Sequence, residues 1–189
     1  MSGFLTNQRL WGATTLINHV SDYVHVQLMR DLSLTKTFLA KSEMEKVMAQ
    51  AGRTAKHYHT NNDRFADNGC IDAINGKDQN ITFCGVGAHH QNGIIENKNK
   101  TITTGGRTLL IHSRRMLPNK IDEMFWPFAI KSVAERLNSL QVDLTGQTPE
   151  SILHDVEIED IRLVTTPTPV VLPTRTAPPK NRVSRGLIL

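Results

Sequence analysis

Along this chain the spacing of apolar residues switches repeatedly between two and about 3.6, which confines the fold to layered α/β arrangements. In residues 24–29, Val24, Val26 and Leu28 alternate with His25, Gln27 and Met29, the period of a half-buried strand. Residues 13–18 make another short strand, and Ser21-Asp22-Tyr23 between the two predicts a hairpin. Residues 34–51 then read as a helix, with Ser33 and Thr35 as N-cap candidates and Gly52 just past the end. Residues 54–60 predict a strand, 68–75 a short helix ending at Gly76, and 81–84 another short strand. Three glycines among residues 85–93 predict a loop. A long helix is expected from about 94 to 114, weakest at Gly105-Gly106. The next is expected over 119–140, where Ile121, Phe125, Ala129, Val133, Leu137 and Leu140 share one face. Pro127 predicts a kink in it or a later start. Thr148-Pro149-Glu150-Ser151 reads as a final helix start, with Thr148 capping and Pro149 in the first turn.

At 189 residues, 39% apolar and 21% charged, the chain has the composition of one soluble, globular domain. No apolar run approaches the length of a membrane span. Residues 1–11 lack a basic segment followed by an apolar one, so no secretory leader is read. Cys70 and Cys84 make neither a disulfide framework nor a zinc spacing, which fits a reducing, intracellular setting. The net charge of +4 is unevenly placed. Residues 161–189 hold five of the 22 basic residues, five of the eight prolines and none of the 18 acids. The body is therefore close to neutral. The tail is expected to be disordered and dispensable for the fold, and able to hold phosphates non-specifically.

The stretch richest in chemistry runs from His57 to Lys100. It contains His57-Tyr58-His59-Thr60-Asn61-Asn62-Asp63-Arg64-Phe65 and then His89-His90-Gln91-Asn92-Gly93-Ile94-Ile95-Glu96-Asn97-Lys98-Asn99-Lys100. This resembles the catalytic core of retroelement integrases, nearest to copia-type retrotransposons, whose pattern is H-x-D-N-G-x-x-F followed at a distance by Q-N-G-x-x-E-x-x-N-[KR]. Glu96 stands at the family glutamate and Asn61 at the family aspartate, with 34 residues between them. The resemblance implies a ribonuclease H-like mixed sheet flanked by helices. It implies polynucleotidyl transfer on DNA with two Mg²⁺ or Mn²⁺ ions held by two aspartates and the glutamate. It also implies a nuclear place of action, and a helix after Glu96 that lies along DNA. Gln91, Asn92, Lys98, Asn99, Lys100 and Arg107 are the expected DNA contacts. From Lys98 to Lys120 there are six basic residues and no acid. A solvated helix face is the competing reading of such a run; the motif upstream favours DNA.

Two departures argue against catalysis. Asn61 supplies an amide oxygen without charge, and Asp63 replaces the glycine of a tight turn. No Asp or Glu occurs between Met1 and Thr14, so residues 1–12 are read as a remnant of the family's first loop, with the first strand and its aspartate lacking. Residues 13–160 are then the core-like domain and 161–189 the tail. The central slot of the sheet is expected to stay a gap, to close by pairing of the hairpin with residues 54–60, or to capture residues 3–10. Each outcome implies low stability or self-association. Glu96 is left as a vestigial metal ligand. The alternative to an inactive integrase core is a non-catalytic nucleic-acid-binding or interaction module that reuses the fold. His57-x-His59 lacks partners at zinc spacing, His89-His90 belongs to the loop expected near DNA, and Cys84 is expected to be buried and inert.

Overall fold

The computed structural model describes residues 10–31, 33–60, 64–85, 93–140, 143–155 and 162–168, the last as backbone. The elements in chain order are β1 (Gly12–Asn18), β2 (Val24–Met29), α1 (Leu34–Gln50), β3 (His57–Thr60), α2 (Asn68–Asn75) and β4 (Asn80–Phe83). They continue with α3 (Gly93–Met116), α4 (Trp126–Leu140), α5 (Pro149–Asp155) and β5 (Arg162–Thr168). The five strands form one sheet in the order β2-β1-β5-β3-β4. β1 is antiparallel to both β2 and β5, while β3 runs parallel to β4 and β5.

The sheet separates two cores. On one face Leu16 and Tyr58 pack with Ala40, Met44 and Met48 of α1, Cys70 and Ile74 of α2, and Leu153 of α5. On the other, Ala13, Ile17, Val24 and Val26 pack with Ile95 and Ile102 of α3 and Trp126, Ile130 and Ala134 of α4. Alternation along β1 delivers Leu16 to one layer and Ile17 to the other. All seven β1 residues are buried, as expected for a strand covered on both faces.

Local chemistry sets the element ends. Asp22 sits at φ 60° in the β1–β2 turn, a conformation that Asp tolerates. Gly52 closes α1 at φ 72°. The α2 N–H of Gly69 donates to Asp67 Oδ1 at 2.9 Å. Thr148 and Ser151 bond reciprocally at the start of α5: the Ser151 N–H donates to Thr148 Oγ1 (3.2 Å) and the Thr148 N–H to Ser151 Oγ (2.9 Å). Pro127 occupies the first turn of α4, after a single 3₁₀ turn at Glu123–Phe125. It therefore marks a later start and not a kink.

Three expectations are corrected here. The central slot is filled by β5, whose backbone comes from the segment read as a disordered tail. That reading rested on composition averaged over 161–189. Locally, Val164, Thr165, Thr166 and Thr168 are β-branched and suit a strand. The buried edges of β1 and β3 supply pairing partners that no local pattern shows. None of the three expected outcomes for the slot is therefore observed, and residues 1–9 and 169–189 lie outside the described residues. Pro167 is opposite Thr14, beyond the last β3 pair, Thr60↔Thr165. Its missing donor falls where only the β1 flank is paired among the described residues. Second, Gly105-Gly106 is no weak point but a close approach. A Cβ on Gly106 would lie 2.8 Å from Ile130 Cδ1, and one on Gly105 3.0 Å from Val133 Cγ1. The glycines let α3 and α4 pack closely. Third, the buried stripe of α4 is Trp126, Ala129, Ile130, Ala134 and Asn138, rotated from the expected face, and Phe125 and Leu140 are exposed.

Asn138 explains part of that rotation. Its Oδ1 accepts from the Val24 N–H at 2.8 Å and its Nδ2 donates to the Val24 carbonyl at 2.8 Å. The amide thus stands in for a neighbouring strand at the β2 edge. Asn138→Ala is expected to destabilise the fold by about 2–4 kcal/mol, because two buried backbone groups lose their partners. An unchanged urea midpoint would show that water satisfies Val24 instead.

Candidate nucleic-acid interface and carboxylate site

β3 and β4 end side by side. The Cys84 N–H donates to the Thr60 carbonyl at 2.9 Å, and Thr60 is directly followed in sequence by Asn61. α3 follows β4 in the chain. Glu96 lies in its first turn, where the helix dipole favours a carboxylate. Burial raises the Cys84 pKa, and the Glu96 charge raises it further, so the carboxylate is electrostatically coupled to the end of β4. Ile95 is fully buried and anchors that turn, while Glu96 is exposed. Asn61, Gln91 and Asn92 lie outside the described residues, as do Asp63 and His89-His90.

The face of β3 towards α3 carries polar side chains. His57 Nε2 lies 2.8 Å and His59 Nδ1 3.0 Å from Thr82 Oγ1, and His59 Nε2 lies 3.4 Å from Cys84 Sγ. The histidines are thus engaged with β4. No group of three His, Cys, Asp or Glu side chains among the described residues could hold a metal ion. A two-ion site needs several hard, charged oxygens. The sequence offers Glu96, the amide of Asn61, and no acid at all on β5.

The residues expected to contact DNA divide in two. Lys98 is turned inward, its side chain 14% exposed, and forms an ion pair with Asp22 of the β1–β2 turn. It ties α3 to the sheet. Asn99 is half-buried. Lys100 and Arg107 are exposed, and Arg114 continues their line. These three recur every seven residues, about 10 Å apart along one helical face. The heptad spacing of Lys100, Arg107 and Arg114 is visible in the sequence within the basic run. Beside Lys100, α3 and α4 frame a shallow groove of about 820 Å³ that also presents Thr104, Thr108, His112 and Arg136.

One charged cluster went unread in the sequence. Lys41 is 3% exposed, and its Nζ donates to Glu45 Oε1 (2.6 Å) and Gln79 Oε1 (2.8 Å). Glu45 Oε1 also accepts from Tyr58 Oη (2.7 Å) and Gln79 Nε2 (2.7 Å). It lies on the α1 face of the sheet, opposite Glu96. Its only sequence signal was the Lys41/Glu45 spacing of four, common on solvated helices.

The arrangement defines a class: a mixed sheet between two helical layers, in the ribonuclease H-like fold of integrase catalytic cores. No protein-family model matches the chain, and no curated protein matches it by sequence. Among solved structures, the integrase catalytic core of HTLV-2 in complex with magnesium, in its trimeric form, superposes with a TM-score of 0.59 at 18% identity, over 80% of this chain and 90% of that one. The simian T-cell lymphotropic virus intasome, in complex with the PP2A regulatory subunit B56 gamma, gives 0.61 at 18% identity, over 93% of this chain and 57% of that one. The catalytic core of BIV integrase gives 0.52 at 13% identity, over 74% and 82%.

Proposed function

We propose that this chain is an integrase-core-like domain of copia-type retrotransposon origin that binds DNA through α3 and no longer catalyses strand transfer. The observation that carries the reading is the continuity of α3. α3, with Glu96 in its first turn, goes on to present Lys100, Arg107 and Arg114 on one exposed face. Exposed basic side chains can hold phosphates and position a duplex without reading its sequence. A nucleus is the setting in which such binding would act. The loss of chemistry follows from charge: where the family resemblance implies an aspartate, Asn61 supplies an uncharged amide.

Two measurements test this. Binding to a short duplex, followed by fluorescence anisotropy across a salt series, is expected to weaken as salt rises. The triple variant Lys100→Ala, Arg107→Ala, Arg114→Ala is expected to flatten the log–log slope by about 2–3. An unchanged slope would remove α3 from the interface. Strand transfer with Mn²⁺ is expected to stay at the level of a Glu96→Gln control, and Asn61→Asp alone is not expected to raise it. Turnover above that control would mean that another side chain completes the ion site.

A further inference from the structure

We propose that β5 is an exchangeable strand: the slot between β1 and β3 accepts Arg162–Thr168 of its own chain or of a second copy, so that two copies join by reciprocal strand exchange. The sheet order carries this. Among the described strands, β5 alone joins the β2-β1 pair to the β3-β4 pair. It is also the last of the described strands in sequence, more than a hundred residues after Thr60. Until it arrives, β1 and β3 present unpaired edges towards one another, and the β1 edge belongs to a strand whose residues are all buried in the finished fold. An open edge of that kind is a template for any strand of fitting register.

A second copy is the occupant that fits. It brings the same seven residues, with the same antiparallel register to β1 and parallel register to β3, so exchange needs no new complementarity. The connection permits it. Leu153 of α5 is held in the core, and six residues, 156–161, separate α5 from β5. Six residues span up to about 20 Å, which sets how far β5 can lie from its own α5. Exchange costs the same backbone pairs that it restores, so the balance between closed monomer and exchanged dimer is set by protein concentration during folding.

Thr15 and Thr166 are Cα partners across β1 and β5. Antiparallel partners lie about 4.5–5.5 Å apart, within the range that a disulfide bridges. The test uses the full chain with Cys70→Ala and Cys84→Ala, carrying Thr15→Cys and Thr166→Cys, refolded at a series of concentrations and then oxidised. Closed molecules yield an internal disulfide in a 21.2 kDa monomer; exchanged ones yield a covalent dimer. The dimer fraction is expected to rise about tenfold for a tenfold rise in concentration while it is the minor species, as mass action requires. The pair Thr15→Cys with Leu163→Cys, displaced by three residues, about 10 Å along the strand, is expected not to bridge. Internal disulfide alone at every concentration would overturn exchange, and absence of any Thr15–Thr166 bridge in a folded protein would overturn the register on which it rests. If the cysteine variants do not melt cooperatively, the unaltered chain is refolded with a fluorescent peptide spanning Arg162–Thr168. Peptide co-eluting with the protein, and displaced by unlabelled peptide, supports the slot; no uptake at a hundredfold or so excess, well beyond what weak binding requires, overturns it.

Discussion

A chain ending at residue 160 is expected to lose its cooperative thermal transition, and Val164→Pro in the full chain to cost about 3 kcal/mol or more. Both effects follow from the place of β5. Val164 lies opposite Ile17 on one side and His59 on the other. Proline there removes a ladder donor in the middle of the sheet, unlike Pro167, which lies past the end of β3 pairing. Deletion goes further. It leaves β1 and β3 with unpaired backbone groups facing a vacant slot, and buried groups without partners are costly. Circular dichroism on heating reads both. A deleted chain that melts as sharply as the full one would show that the sheet closes without β5. The same deletion removes all five basic residues beyond 160, so its effect on DNA binding is interpretable only if the fold survives.

Acid is expected to destabilise the protein through Glu45, by about 3 kcal/mol between pH 4.5 and 2. Burial alone would raise the Glu45 pKa. Hydrogen bonds from Lys41, Tyr58 and Gln79, with the Lys41 charge, outweigh it and bring the pKa from 4.5 to about 2. A carboxylate with a depressed folded pKa adds stability above its unfolded pKa and loses it as pH falls through the folded one. Burial lowers the Lys41 pKa, yet both states keep Lys41 protonated in acid, so its desolvation is a constant cost and leaves the slope to Glu45. Tyr58 is pushed upward by burial and by Glu45 and does not titrate there either. Urea melts from pH 6 to 2 are expected to show the loss in the native chain. Glu45→Gln should flatten this part of the profile, with lower stability at neutral pH. A Glu45→Gln profile parallel to that of the native chain would place the acid sensitivity elsewhere. Lys41→Met is expected to be strongly destabilising at neutral pH, by about 3 kcal/mol, since it leaves Glu45 charged without its closest cation.

Much of the fold was written locally. Alternation at Val24, Val26 and Leu28 marked β2, Gly52 and Gly76 marked helix ends, and Thr148-Pro149 marked the start of α5. These signals act within a few residues and survive in any tertiary setting. The spacing from Asn61 to Glu96, and the position of Glu96 in the first turn of a long helix, were likewise legible. The third dimension decided what depends on partners distant in sequence. Whether Arg162–Thr168 is tail or central strand turns on the edges of β1 and β3, which compositional averaging does not represent. Lys98 is turned inward because Asp22, on a distant turn, pairs with it. Gly105-Gly106 became a contact because Ile130 and Val133 lie against it. Asn138 proved a surrogate strand partner, and Lys41 and Glu45 a buried cluster, because Val24, Tyr58 and Gln79 close around them. By itself the sequence determined most element types and the basic run on α3. Only the tertiary structure decided which backbone completes the sheet and which charges remain free to act, because pairing and burial are properties of neighbours brought together by folding.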